Sequence, residues 1–153
     1  MKPAMAKSTQ RETAEAVVAA FNTMDIDKII SYRSPDCIRY ILPSTMGHAP
    51  TNNEQYRSHL EKLRPIFQNF SLTVRDVIED REARRICMWL TARADTLAGE
   101  YINEYMWTLD FDETETKITK VNEFVDTVVN RDFWPKLQKA MAEQRAKKEA
   151  SSA

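Results

Sequence analysis

Residues 99–126 read GEYINEYMWTLDFDETETKITKVNEFVD, two runs of strand-forming residues around an acidic, turn-like centre. Side chains alternate along a strand, so Tyr101, Asn103, Tyr105, Trp107, Leu109 and Phe111 share one face. That face is apolar and aromatic, yet it carries two phenols and an amide. With residues 112–116 as the connecting loop, antiparallel pairing brings Glu123 opposite Tyr105 on the same face. A carboxylate facing phenols on an aromatic wall is a candidate acid–base pocket. A slip of one residue in register would put Asn122 there instead and turn Glu123 away.

The rest of the chain supplies what such a hairpin needs to pack against. Thr9 and Glu12 have capping-box spacing, and Ala14, Val17, Val18 and Phe21 form one helical stripe behind them. Asp25 can cap a short second helix that carries Ile26, Ile29 and Ile30 inward. A strand is expected over residues 36–42 and stops at Pro43. Its alternation puts Cys37, Arg39 and Ile41 on one face, and an arginine in the middle of a strand needs a reason. His48 lies in the following loop beside Gly47. Asn52 and Gln55 open a third helix with Tyr56, Leu60 and Leu63 on its inner side, ending near Pro65.

From Phe70 the period changes to alternation, with a slip before Glu79 that predicts a bulge. A second strand over residues 84–95 puts Ile86, Met88 and Leu90 on one face and Cys87, Trp89 and Thr91 on the other. After the hairpin, Asp132 is the expected N-cap of a closing helix with Phe133, Trp134, Leu137 and Met141 inward. The ends, about 1–8 and 147–153, are expected to be loose. Helices gathered early against a late, mostly antiparallel sheet make an α+β domain. Wrapped strongly around its helices, such a sheet encloses a cone-shaped cavity.

At 153 residues the chain is long enough for one domain with a proper core. Its 22 basic and 23 acidic residues nearly cancel, which gives no footprint for nucleic acid or an anionic membrane surface. The N-terminus lacks an apolar stretch of signal-peptide length and no later run is long enough to span a bilayer, so a cytosolic protein is expected. Cys37 and Cys87 lack metal-ligand spacing and read as buried free thiols. The two glycines form no phosphate loop, no serine sits in a nucleophile elbow, and the two histidines lack zinc-site spacing.

The element order, together with EYINEYMWTLDFDE and KITKVNEFVD, resembles the SnoaL-like branch of the nuclear transport factor two-like superfamily over roughly residues 9–141. Within it the chain is most similar to small fungal isomerases and cyclases of secondary metabolism, which act on polyketide, meroterpenoid or indole alkaloid intermediates. The resemblance implies a catalytic set of Arg39, Tyr101, Tyr105 and Glu123, with no cofactor and no metal. It implies a homodimer and a small hydrophobic substrate.

The chemistry of those residue types fits. A carboxylate walled by aromatics becomes a usable acid or base near neutrality. Phenols can hold a developing oxyanion, and a permanently charged arginine can hold a carbonyl or alkoxide. Trp89 and Trp107 are expected as the apolar wall, and Asn103 and His48 as further substrate-binding residues. Each has a structural reading too. Glu123 can pair with Lys120 or Arg39, and the tyrosines can be ordinary packing. A non-catalytic ligand carrier or dimerisation module of the same fold is the alternative.

Overall fold

The computed structural model describes residues 3–153; of the stretch 1–8 expected to be loose, residues 1–2 lie outside the described residues. Helices α1 (Thr9–Asn22) and α2 (Ile26–Ser31) precede strand β1 (Arg33–Leu42), and α3 (Asn53–Leu63) precedes four strands. These are β2 (Gln68–Asp80), β3 (Arg85–Thr96), β4 (Gly99–Phe111) and β5 (Ile118–Val125), and α4 (Thr127–Ser151) closes the chain. The five strands form one sheet in the order β1-β5-β4-β3-β2. Only the β1–β5 pair is parallel; the other pairs are antiparallel. This is the mixed α+β architecture that the pattern of periods predicts. No helix among the described residues is long and apolar enough to cross a membrane.

Most local signals act as they read. Asn52 and Gln55 make a complete capping box at the start of α3, and Asp25 caps α2. The slip in β2 is a bulge between Val74 and Asp76. Gly47 ends a short 3₁₀ turn, Ser44–Met46, at φ +75, a backbone conformation that glycine adopts without a Cβ clash. Two caps differ. Ser8, not Thr9, accepts from the Arg11 amide at the start of α1. Asp126, not Asp132, caps α4, and that helix continues to Ser151, past the expected fraying point at Lys147.

The inner face of the sheet carries the core. Ile86, Met88, Leu90, Ala92 and Ala94 of β3 are all buried, and α1 lays its stripe of Ala14, Val17, Val18 and Phe21 into the same core. The outer face is different: Trp89, Ile102, Met106 and Phe124 are exposed. Cys37 is buried and free, and Cys87 is free and half-buried.

The hairpin register decides where Glu123 goes. The structure pairs Glu123 with Trp107, and Tyr105 with Val125, rather than Glu123 with Tyr105. The connection takes in Lys117, whose carbonyl accepts from the Asp112 amide at 2.9 Å, so the loop is one residue longer than expected. A bulge between Asp110 and Phe111 adds another. The two displacements together are even, and a two-residue shift preserves the face. Glu123 therefore stays on the face of Tyr101, Tyr105 and Trp107.

Candidate active site

The inner face of the sheet and the helices α1, α3 and α4 line a half-open cavity of about 820 Å³. Phe21, Phe67, Phe70, Trp107 and Trp134 give it an aromatic wall. Its polar groups come from separate elements: Arg39 from β1, Tyr101 and Tyr105 from β4, Glu123 from β5, Tyr56 and His59 from α3.

Arg39 and Glu123 meet because β1 runs parallel to β5, with Ile41 opposite Glu123 and Arg39 opposite Val121. Arg39 Nε donates to Glu123 Oε2 at 2.8 Å, and Nη2 lies 2.6 Å from the same oxygen. Both residues are buried, 7% and 8% exposed. Burial opposes the charge on Arg39, but the carboxylate of Glu123 together with the phenols of Tyr56 and Tyr105 outweighs it and holds the guanidinium pKa above its ordinary value. The counter-charge also changes the setting of Glu123: this carboxylate is not walled by aromatics alone. Oε1 of Glu123 accepts no hydrogen bond among the described residues, and Nη1 of Arg39 donates none.

The phenols form a second unit. Tyr101 and Tyr105 share a hydrogen bond of 2.7 Å between their hydroxyls. Asn103 Nδ2 donates to the Tyr101 hydroxyl at 2.8 Å and to Asn130 Oδ1 at 3.0 Å, while its own carbonyl accepts from the Glu104 amide. With Asn103 donating to it, Tyr101 can pass its hydrogen to Tyr105, which frees the Tyr105 O–H for a ligand. Burial pushes both phenols up, Tyr105 furthest, so both remain protonated donors at neutral pH.

The four residues expected to act together therefore line one cavity. His48 lines it too, exposed on the loop after β1. Two expected substrate contacts lie elsewhere. Trp89 is on the outer face, 42% exposed, with Nε1 donating to Glu104 Oε2 at 2.9 Å. Its parity on β3 opposes that of Met88 and Leu90, which fill the core. Asn103 is buried behind the phenols rather than on the cavity wall, so it holds Tyr101 instead of a ligand.

Two cavity residues escape the sequence reading. Tyr56 reads as plain core and His59 as the polar side of a helix, yet both line the cavity. The signal was present, since positions 56, 59, 60 and 63 make one helical stripe, and a histidine inside such a stripe faces what the stripe faces. Burial, then the nearby Arg39, lowers the His59 pKa below its ordinary value, which favours the neutral imidazole. The first turns of α4 add Thr127, Val128, Asn130 and Arg131 to the lining because the helix starts at Asp126.

No family model matches the chain. Curated relatives do. The chain is 33% identical over 128 residues to austinoid biosynthesis cluster protein H of Aspergillus calidoustus, covering 81% of this chain and 86% of that one. It is 31% identical over 140 residues to monooxygenase dmxR10 of a Cryptosporiopsis species, covering 90% and 93%. Among solved structures, the BvnE pinacolase from Penicillium brevicompactum superposes with a TM-score of 0.82 at 31% identity, over 88% of this chain and 96% of that one. At identities under 25%, solved SnoaL-like and NTF2-like proteins share the fold. The protein belongs to the family of small fungal secondary-metabolite cluster proteins that includes austinoid biosynthesis cluster protein H, and it has the SnoaL-like, NTF2-like fold.

Proposed function

We propose that this protein is an enzyme of secondary metabolism, a cofactor-independent isomerase or cyclase that moves a proton on a hydrophobic polyketide, terpenoid or alkaloid intermediate. One observation carries the reading: Glu123, gripped by Arg39 through one oxygen, keeps Oε1 unpaired in the same cavity as a hydrogen-bonded pair of protonated phenols. Oε1 takes a proton from substrate carbon or hydroxyl and returns it at another position, so the overall step gains and loses nothing. Tyr105, backed by Tyr101 and Asn103, donates to the oxygen on which negative charge develops. Arg39 Nη1 can donate to a second substrate oxygen. The aromatic wall orients the apolar body of the substrate, and a cavity of about 820 Å³ suits a drug-sized molecule. A solved relative named as a pinacolase supports an enzyme of this kind. The reading includes a second copy of the chain on the outer sheet face and a cytosolic setting.

The test is mass balance. The protein and its Glu123→Gln variant are each expressed in a host that makes candidate polyketide, meroterpenoid and indole alkaloid intermediates, and products are compared by chromatography and mass spectrometry. A new compound of unchanged mass, falling about 10²–10⁴-fold in the variant, is the expected result. Loss of water would shift the assignment to dehydration. Gain of one oxygen would overturn it in favour of oxygenation, the activity named for several relatives.

A further inference from the structure

The way Arg39 holds Glu123 is unusual for such a pair. An arginine and a carboxylate commonly meet fork to fork, two nitrogens on two oxygens. Here both nitrogens converge on Oε2. Something other than the carboxylate must set the guanidinium plane, and the neighbour in position to do so is Tyr56. The guanidinium carbon of Arg39 lies 4.6 Å from the centroid of the Tyr56 ring, and that of Arg33 lies at the same distance from it. Both arginines and Tyr56 are buried. Arg33 Nε donates to Asn53 Oδ1, its Nη2 has no partner, and it forms no ion pair with a described carboxylate. One aromatic ring thus gathers two buried cations where Glu123 supplies a single negative charge.

We propose that Tyr56 is the positioning residue of the acid–base pair: its ring fixes the Arg39 guanidinium so that it grips one oxygen of Glu123 and leaves the other for the substrate proton. The assignment of Oε1 as the proton acceptor rests on the function proposed above; the stacking does not. The ring acts rather than the hydroxyl. The Tyr56 hydroxyl makes no hydrogen bond with a described residue, and burial pushes it up to about 12 in spite of Arg39 and Arg33 beside it. It is a neutral phenol at any working pH, neither counter-ion nor base. The helix places it well for this, because the Asn52–Gln55 capping box fixes the first turn of α3 immediately before Tyr56.

The experiment reads Arg39 directly and needs no substrate. Arg39 Nε–H is buried and bonded to Glu123, so it gives a protected side-chain signal in proton–nitrogen correlation spectra, assigned by its loss in Arg39→Lys. Tyr56→Phe keeps the ring and should keep the position and exchange rate of that signal. Tyr56→Leu and Tyr56→Met remove the ring at similar bulk, and either folded variant should speed Hε exchange about ten-fold or more, the size of a buried cation–π contact. Thermal unfolding of each variant separates this from a general loss of stability. If both ring-less variants leave the Arg39 signal unchanged, or if Tyr56→Phe loses it as they do, the proposal fails. If the ring-less variants disturb Arg39 while Glu123→Gln still turns over substrate, the positioning role stands and the proton-transfer assignment is what falls.

Discussion

The ion pair of Arg39 and Glu123 is where a single side chain matters most to stability as well as chemistry. Removing one partner from a buried pair leaves the other charge without compensation, at a cost of roughly 3–5 kcal/mol. Arg39→Leu should therefore lower the unfolding free energy read from denaturant melts by that amount, and Arg39→Leu combined with Glu123→Leu should recover most of it. Equal losses in the single and double variants would mean the pair is not electrostatically linked. The phenols carry the pH dependence. The folded protein holds the Tyr56 proton more tightly than the unfolded chain, with its pKa raised from 10.0 to about 12. Its contribution is complete below pH 10 and disappears as pH rises through about 12, roughly 2–3 kcal/mol in all. Tyr101 and Tyr105 are raised for the same reason and add in the same direction. Denaturant melts should weaken across that window, and phenolate absorbance should lag behind that of a free tyrosine; full ionisation near pH 10 with the fold intact would contradict the burial of all three.

At the scale of elements, α4 does more for the site than its composition suggests. Only Leu137 of this helix is buried, yet Asn130 anchors Asn103, and Thr127, Val128 and Arg131 line the cavity. That placement depends on Asp126, whose carboxylate accepts from the amides of Val128 and Val129 at 2.9 and 3.4 Å. Asp126→Ala should cost about 1 kcal/mol. It should also raise amide hydrogen exchange selectively over residues 127–138, because the first turn loses its cap while the sheet does not change. Uniform exchange along the chain would show that the cap does not control the cavity rim. The strands show the opposite economy: an extra loop residue and a bulge in the β4–β5 hairpin offset each other in parity, so the site face survives a wrong guess at the register.

Across the whole molecule, the two sheet faces have different solvents to satisfy. Trp89, Met106 and Phe124 are directly opposed across β3, β4 and β5, and Ile102 lies further along β4, all on the outer face and all exposed. A contiguous apolar row of this kind is the usual mark of an interface, and a second copy of the chain related by a two-fold axis would cover it with itself. Sedimentation equilibrium at micromolar concentration should give a dimer, and Met106→Glu with Phe124→Asp should give a monomer of unchanged circular dichroism. A monomeric unmodified chain would exclude this pairing.

By itself the sequence determined the succession of elements, the core stripes, the caps of α2 and α3 and the β2 bulge, since these follow from periodicity and short-range capping over a few residues. It also set the shared face of Tyr101, Tyr105 and Glu123, because alternation along a strand tolerates any even error in register. Three things lay beyond it. Trp89 is hydrophobic enough for a cavity wall, and only the pairing of β3 with β4 assigned it to the outer face. Tyr56 and His59 share a helical stripe with Leu60 and Leu63, but only the packing of α3 against β1 decided that this stripe faces the cavity. The union of Arg39 with Glu123, 84 residues apart in the chain, required β1 to lie parallel beside β5. Parallel neighbours are joined by long crossovers, so the chemistry at their shared edge belongs to the tertiary structure alone.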